Sequence, residues 1–141
     1  MSIFIDTGVF YAHHDADAKR HETAVELINA ILDGRHGQPY TSDYVLDEVV
    51  TLTRARTGSV ADADTIANRI CGTDPYPEIV ELIYTTQQYV SSSLHTFRQY
   101  DDHNLSFTDA MSIALCDRRD IDSIASFDSD FDGIIERLSS A

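Results

Sequence analysis

The sequence predicts a three-layer α/β/α sandwich around a mostly parallel central sheet, folded as a single domain over residues 1–141. Three observations lead there. Short apolar runs rich in β-branched residues alternate with longer segments whose apolar residues recur at helical spacing. No two of the apolar runs are joined by a hairpin turn, so each connection has to cross over the sheet, which is the signature of parallel α/β folds. The length suffices for one core that buries roughly two-thirds of the unfolded chain's surface.

Ser2 to Ile5 is apolar without a helical period, and with Gly8 as a turn residue beyond it the segment reads as a buried strand. Lys19 to Asp33 carries Ala24, Leu27, Ile28, Ile31 and Leu32 on one face and meets Gly34, Gly37 and Pro39, so it is a helix with ordinary stop punctuation. Tyr40 to Ser42 is a short strand. Ser42 or Asp43 then caps a helix that runs to about Thr57, with Val45, Leu46, Val49, Val50 and Leu52 on its buried side. Ala61 to Cys71 is a further helix ended by Gly72, and Pro75 and Pro77 keep the next segment extended. The β-branched run Glu78 to Tyr84 predicts a second buried strand. Gln87 to Tyr100 is a more polar helix, Asp101 to Asn104 a loop, and Ser106 caps a helix over Phe107 to Arg119. Ile121 to Phe127 reads as a strand, the Asp-rich "DSDFDG" as a turn, and Ile134 to Leu138 as a last strand. In such sheets the functional residues gather outside the carboxyl ends of the strands, where Asp6 and Asp128 fall.

Composition narrows the chemistry. The chain has 24 acids against 10 bases, a net charge of −14, and Lys19 is its single lysine. A dense carboxylate surface that is this poor in lysine suggests a halophilic source, where salt screens self-repulsion; an ordinary acidic bacterial protein is the alternative. Either way the charge opposes unaided binding to a polyanion. No apolar run is long enough to span a bilayer and the N-terminus has no basic segment followed by an apolar core, so a soluble, cytoplasmic protein is expected. Cys71 and Cys116 form no metal spacing and read as small buried hydrophobes rather than a disulfide pair. The six histidines, His13, His14, His21, His36, His95 and His103, show no zinc pattern and are taken as mostly surface residues.

Individual acids are ambiguous. Asp6 at a strand end is compatible with a simple turn. On a wheel of about 100° per residue with Val45 at zero, the apolar residues centre near ~50°, Glu48 falls near ~300° and Asp47 near ~200°, so Glu48 borders the buried face and Asp47 points to solvent. Asp109 in "LSFTDA" also fits a capping box with Ser106, in which the acid only satisfies backbone donors. Asp128, Asp130 and Asp132 suit a turn or a loose imitation of a calcium loop, but the glutamate such a loop needs is replaced by Ser139. As a set they say more. A strand-end Asp, a helix-borne Glu, a helix-start Asp and an Asp after the last full strand would converge at one sheet edge, where mutual repulsion makes hard divalent cations, Mg²⁺ or Mn²⁺, necessary.

The segments "IFIDTGVFYA", "SDYVLDEVVTL", "DDHNLSFTDAMSIALC" and "SIASFDSDFDGI" together resemble the PIN-domain ribonucleases, and within them the VapC-type toxins of toxin-antitoxin pairs. The resemblance covers essentially the whole chain. It implies an acidic site at Asp6, Glu48, Asp109 and Asp128, spaced by 42, 61 and 19 residues, with Thr7 and Ser126 as supporting hydroxyls and Asp130 as an optional fifth acid. Ser126 stands where Thr is more usual and keeps the hydroxyl. Also implied are Mg²⁺- or Mn²⁺-assisted hydrolysis of RNA to a 5′-phosphate and a 3′-hydroxyl, a homodimer, and a small antitoxin partner. Arg54 and Arg56 beyond Glu48, and Arg118 and Arg119 beyond Asp109, are candidate phosphate contacts, with solvated ion-pair roles as the alternative.

Other readings compete less well. An aspartic protease built on Asp-Thr-Gly needs an all-β fold, and a haloacid-type phosphatase needs a second Asp where Gly8 stands. A PIN-like domain that binds without cutting would not require all the acids. A housekeeping RNA-processing nuclease is disfavoured because the chain carries neither a zinc ribbon nor an added domain.

Overall fold

A computed structural model describes residues 1–141. Its five strands are β1 (Ser2–Ile5), β2 (Gln38–Ser42), β3 (Glu81–Ile83), β4 (Ser123–Ala125) and β5 (Glu136–Leu138). Its six helices are α1 (Thr7–His14), α2 (His21–Leu32), α3 (Asp43–Thr57), α4 (Val60–Cys71), α5 (Gln87–Gln99) and α6 (Phe107–Arg118). The sheet order is β3-β2-β1-β4-β5 and every pairing is parallel, so the sheet is wholly rather than mostly parallel.

Right-handed crossovers then fix the layers. From β1 the chain steps outward through β2 to β3, which lays α1 to α4 on one face. The return from β3 to β4 carries α5 and α6 over the other. The packing agrees: α1 lies against α2 and α3, α3 against α4, and α5 against α6. The result is the expected three-layer sandwich. Its strand order reverses between β1 and β4, and the crevice outside the carboxyl ends of those two strands is the switch point.

The centre of the sheet holds the chain in place. Ile3, Phe4 and Ile5 of β1 are covered on both faces, at most 1 % exposed, as expected for a strand buried between two helical layers. Val45 and Val49 of α3, Leu27 and Ile31 of α2 and Met111 and Leu115 of α6 close over them. In α6 every residue from Asp109 to Cys116 is buried, because the helix is wedged between the sheet and α5. Phe131, in a 3-10 turn over Ser129–Phe131, is fully buried and pins the Asp-rich loop after β4 to the core.

Several elements differ from the sequence reading. Gly8 is not in a turn. It lies in the first turn of α1, a helix whose buried Thr7, Val9, Phe10, Tyr11 and Ala12 leave no polar stripe to give it an amphipathic period. The strand expected over 78–84 contracts to three edge residues, with Ile79 and Tyr84 exposed, since no further strand covers that side. The strand expected over 121–127 likewise shortens to Ser123–Ala125, and β2 begins earlier, at Gln38. Cys116 is buried, and burial pushes its thiol up to about 12, but Cys71 is exposed at the end of α4; both are free thiols. His14 and His21 are not free surface groups either: the His14 ring meets Asp62 at 3.3 Å, and His21 donates from Nδ1 to the Ala12 carbonyl at 2.7 Å. No helix is long and apolar enough to cross a membrane.

Candidate active site

At the carboxyl ends of β1 and β4 the two strands are tied by Asp6 itself. Its N–H donates to the Ala125 carbonyl at 3.0 Å, and the Ser126 hydroxyl donates to Asp6 Oδ2 at 2.7 Å. The same Ser126 oxygen accepts from the Asp128 N–H at 3.0 Å, and Asp128 Oδ1 accepts from the Asp130 N–H at 2.9 Å. One hydroxyl therefore links the first acid to the loop that carries the last ones. Arg137 braces this loop from behind, donating to Asp132 at 2.7 Å and to the Ser126 carbonyl at 3.2 Å. Asp132 is thus a structural partner outside the cluster.

The helix-borne acids arrive from either face. Ser42 caps α3 by accepting from the Val45 N–H, and one turn later half-buried Glu48 faces the crevice while Asp47 is exposed, as the wheel predicts. Asp109 lies at the start of α6. There Ser106 and Asp109 form a complete capping box at 3.0 Å each way, and Asp109 also lines the crevice with Asp6, Glu48, Asp128 and Asp130. The capping reading of Asp109 therefore holds, and the same side chain also lies at the crevice.

Burial pushes the Asp6 carboxyl up to about 7; the Ser126 hydrogen bond pulls against this, while the charges of Asp109 and Glu48 add to it. Asp109 is also raised, chiefly by burial, with Asp128 and Glu48 contributing and the Ser106 hydrogen bonds opposing. Asp6 Oδ1 and Thr7 Oγ1 are buried with no hydrogen-bond partner. An orphaned carboxylate oxygen costs folding free energy unless something positive meets it. The donor set is all oxygen, which suits a hard divalent cation. No three acidic, histidine or cysteine side chains close into a ligand shell of their own. A cation here would complete its shell with water and substrate oxygens, as Mg²⁺ commonly does.

Four acids, two following strand ends, one at a helix start and one a turn or more into a helix, meet at the switch point of a parallel sheet and agree with the match of residues 3–136 to the PIN domain family. The chain belongs to that family. Among its relatives is the VapC ribonuclease of Archaeoglobus fulgidus, 24% identical over 132 residues that cover 93% of this chain and 80% of that protein. The 23S rRNA-specific endonuclease VapC20 of Mycobacterium tuberculosis is 29% identical over 92% of this chain and 91% of its own length. The crystal structure of VapC20, described as a Sarcin-Ricin loop cleaving toxin, superposes with a TM-score of 0.81 over 95% of this chain and 97% of that one. VapBC2 of Rickettsia felis, bound to a DNA fragment from its promoter, shares the fold at a TM-score of 0.71 and 9% identity, covering 98% of each chain.

This PIN domain does not bring the candidate arginines to the crevice. Arg54 and Arg56 lie in the last turns of α3, and Arg56 stacks on Tyr11 at 4.8 Å. Arg118 and Arg119 end α6, at the opposite edge of the sheet from Asp109, where they bond Ser92 at 2.6 Å and Glu81 at 3.3 Å. Thr7, Ser126 and Asp130 do lie at the site. The sequence reading missed Arg20, Asn104 and Phe127, which also line it. The only local signal for Arg20 is its place just before a helix start, since its approach depends on the loop over 15–20 climbing back to the sheet's carboxyl edge.

The raised Asp6 carboxyl has a consequence for stability. Its folded value, about 7, lies above the unfolded value of about 3.9, so the native state holds the proton more tightly and loses stability as pH rises through that interval. Without metal the penalty reaches about 4 kcal/mol. Asp6→Asn has no such group. In EDTA, the unfolding free energy of Asp6→Asn relative to wild type should therefore climb by that amount between about pH 4 and about pH 8, measured by urea denaturation. A flat difference would contradict the burial of an ionisable Asp6.

Proposed function

We propose that this PIN domain is an Mg²⁺- or Mn²⁺-dependent endoribonuclease that acts as the toxin of a toxin-antitoxin pair. The observation that carries the reading is the convergence of Asp6, Glu48, Asp109 and Asp128 on one crevice, with a buried oxygen of Asp6 left unpartnered. The nuclease names of the Archaeoglobus and Mycobacterium relatives support it.

In this reading Asp6, Asp109, Asp128 and Glu48 hold the cation, which when bound supplies an activated water and neutralises charge developing on the scissile phosphate. The protein's part is positioning. Ser126 fixes one oxygen of Asp6 and leaves the other buried without a partner of its own. Ser106 likewise takes Asp109 Oδ2 through its N–H, so the second oxygen serves the site. Thr7 adds a hydroxyl beside Asp6, and Asp130 extends the acidic wall. The bound cation also answers the charge objection, because it makes an acidic crevice locally attractive to RNA. Partners in this reading are a second copy of the chain and a small antitoxin that occupies the crevice. The setting is the cytoplasm of a cell with high internal salt, consistent with the net charge of −14.

Purified protein should cut single-stranded RNA with Mg²⁺ or Mn²⁺, leaving 5′-phosphate ends, and EDTA should stop it. Asp6→Asn or Asp109→Asn should each lower the rate by more than about a hundredfold. Cleavage that survives both substitutions would sink the assignment. The toxin role has its own readout: induced expression should arrest growth, and co-expression of the adjoining small gene should relieve it. Continued growth would point to a processing enzyme. Melting in rising KCl tests the high-salt setting, where the midpoint should increase toward molar salt rather than stay level.

A further inference from the structure

Five carboxylates line the crevice, those of Asp6, Glu48, Asp109, Asp128 and Asp130, and Arg20 is the one cationic residue among them. In a chain with 24 acids and 10 bases, an arginine at the rim of such a cluster would be expected to pair with a carboxylate. It does not: no acidic oxygen lies within 4.0 Å of its guanidinium. The group rests instead on the Phe127 ring, 5.0 Å from the centroid, and donates one N–H to the Phe127 carbonyl at 3.3 Å. Phe127 stands between Ser126 and Asp128, so the guanidinium is moored to the very segment that carries the acids.

We propose that Arg20 is a substrate-binding residue that grips a backbone phosphate of the RNA strand lying in the crevice; this rests on the nuclease reading above. A planar guanidinium presents five N–H donors in a fixed fork. The contact with the Phe127 ring and the bond to its carbonyl hold that fork in place, and only one donor is used internally. Arg20 is an exposed residue whose other donors have no partner in the protein, and a guanidinium fork can take two oxygens of one phosphate. The mooring also limits the entropy lost when the strand binds, because a stacked guanidinium is already ordered. The acids recruit the cation; Arg20 supplies a fixed positive charge beside them that does not depend on metal loading.

The test compares wild type, Arg20→Ala, Arg20→Lys and, as a surface control away from the crevice, Arg98→Ala, in steady-state cleavage of a single-stranded RNA with Mn²⁺. Arg20→Ala should raise KM about tenfold with little change in kcat, the loss expected for charge-assisted hydrogen bonds to a phosphate. The slope of log kcat/KM against log KCl should flatten by about 0.7, the counterion release of one single-strand phosphate. Arg20→Lys should restore most of the slope but not all of KM, since it keeps the charge and loses the fork. A methylphosphonate placed along the RNA should weaken wild type at one position and leave Arg20→Ala unaffected there. Arg98→Ala should match wild type throughout. Arg20→Ala with wild-type KM and salt slope overturns the proposal, as does a KM rise accompanied by a fall in melting temperature, which would mark a merely structural residue. Wild type that fails to cut any RNA overturns the nuclease reading itself, and this inference with it.

Discussion

The hydrogen bond from Ser126 to Asp6 is the constraint on which the rest of the site depends. It spans the two strands between which the strand order reverses, and at 2.7 Å it holds a carboxylate that is only 6 % exposed. Taking an acid out of water with one oxygen unpartnered is unfavourable, and it persists only because the surrounding framework has no slack. That framework is the register of β1 against β4, which pairs Ile5 with Ala125 and so sets Asp6 beside Ser126. The fully buried Ile3-Phe4-Ile5 segment behind it lets the strand neither slide nor rotate. The acid is thus held in place by the fold alone, with one oxygen left unpartnered.

The distribution of positive charge follows a related logic. Away from the crevice, the placed guanidinium groups are structural: Arg137 braces the loop after β4, Arg119 joins the start of β3, and Arg56 lies on Tyr11. The crevice keeps Arg20 and five acids, so its field without a cation is strongly negative. Such a field opposes the approach of a polyanion, and a cation bound among the acids would offset it. Loading is in turn coupled to protonation, because a carboxyl that holds its proton to about 7 has to release it when a cation binds.

Most of the fold was legible in the sequence because most of its elements bury one face. The periods of α2, α3 and α4 come from a single apolar stripe, and β1 is an unbroken apolar run. The helical wheel separated Glu48 from Asp47 for the same reason. Legibility failed where burial was all-round or contact was remote. The helix α1 has apolar residues on nearly every side, so no period distinguishes it, and Gly8 looked like a turn. The edge strand β3 had the composition of a core strand but only one neighbour. Four arginines near the acids in sequence are distant from them in space, because helices of 12 and 15 residues carry their two ends to opposite edges of the sheet. Arg20 was invisible for the converse reason, being brought to Phe127 by a loop across 107 residues of sequence.

The capping box at the start of α6 gives Asp109 two employments that cannot be separated by deleting the side chain. One oxygen holds the Ser106 N–H at the first turn of a helix buried along most of its length; the other is left for the crevice. Truncation to alanine would loosen the helix and empty the site together, whereas asparagine keeps an acceptor for the cap. Descent acts on the same distinction. A copy of this gene released from cutting RNA would still be held to an acid or amide at position 109 by the demands of folding, while Glu48, free of any such duty, could drift. The fold itself makes no comparable demand on position 48, whose side chain caps no helix and makes no hydrogen bond.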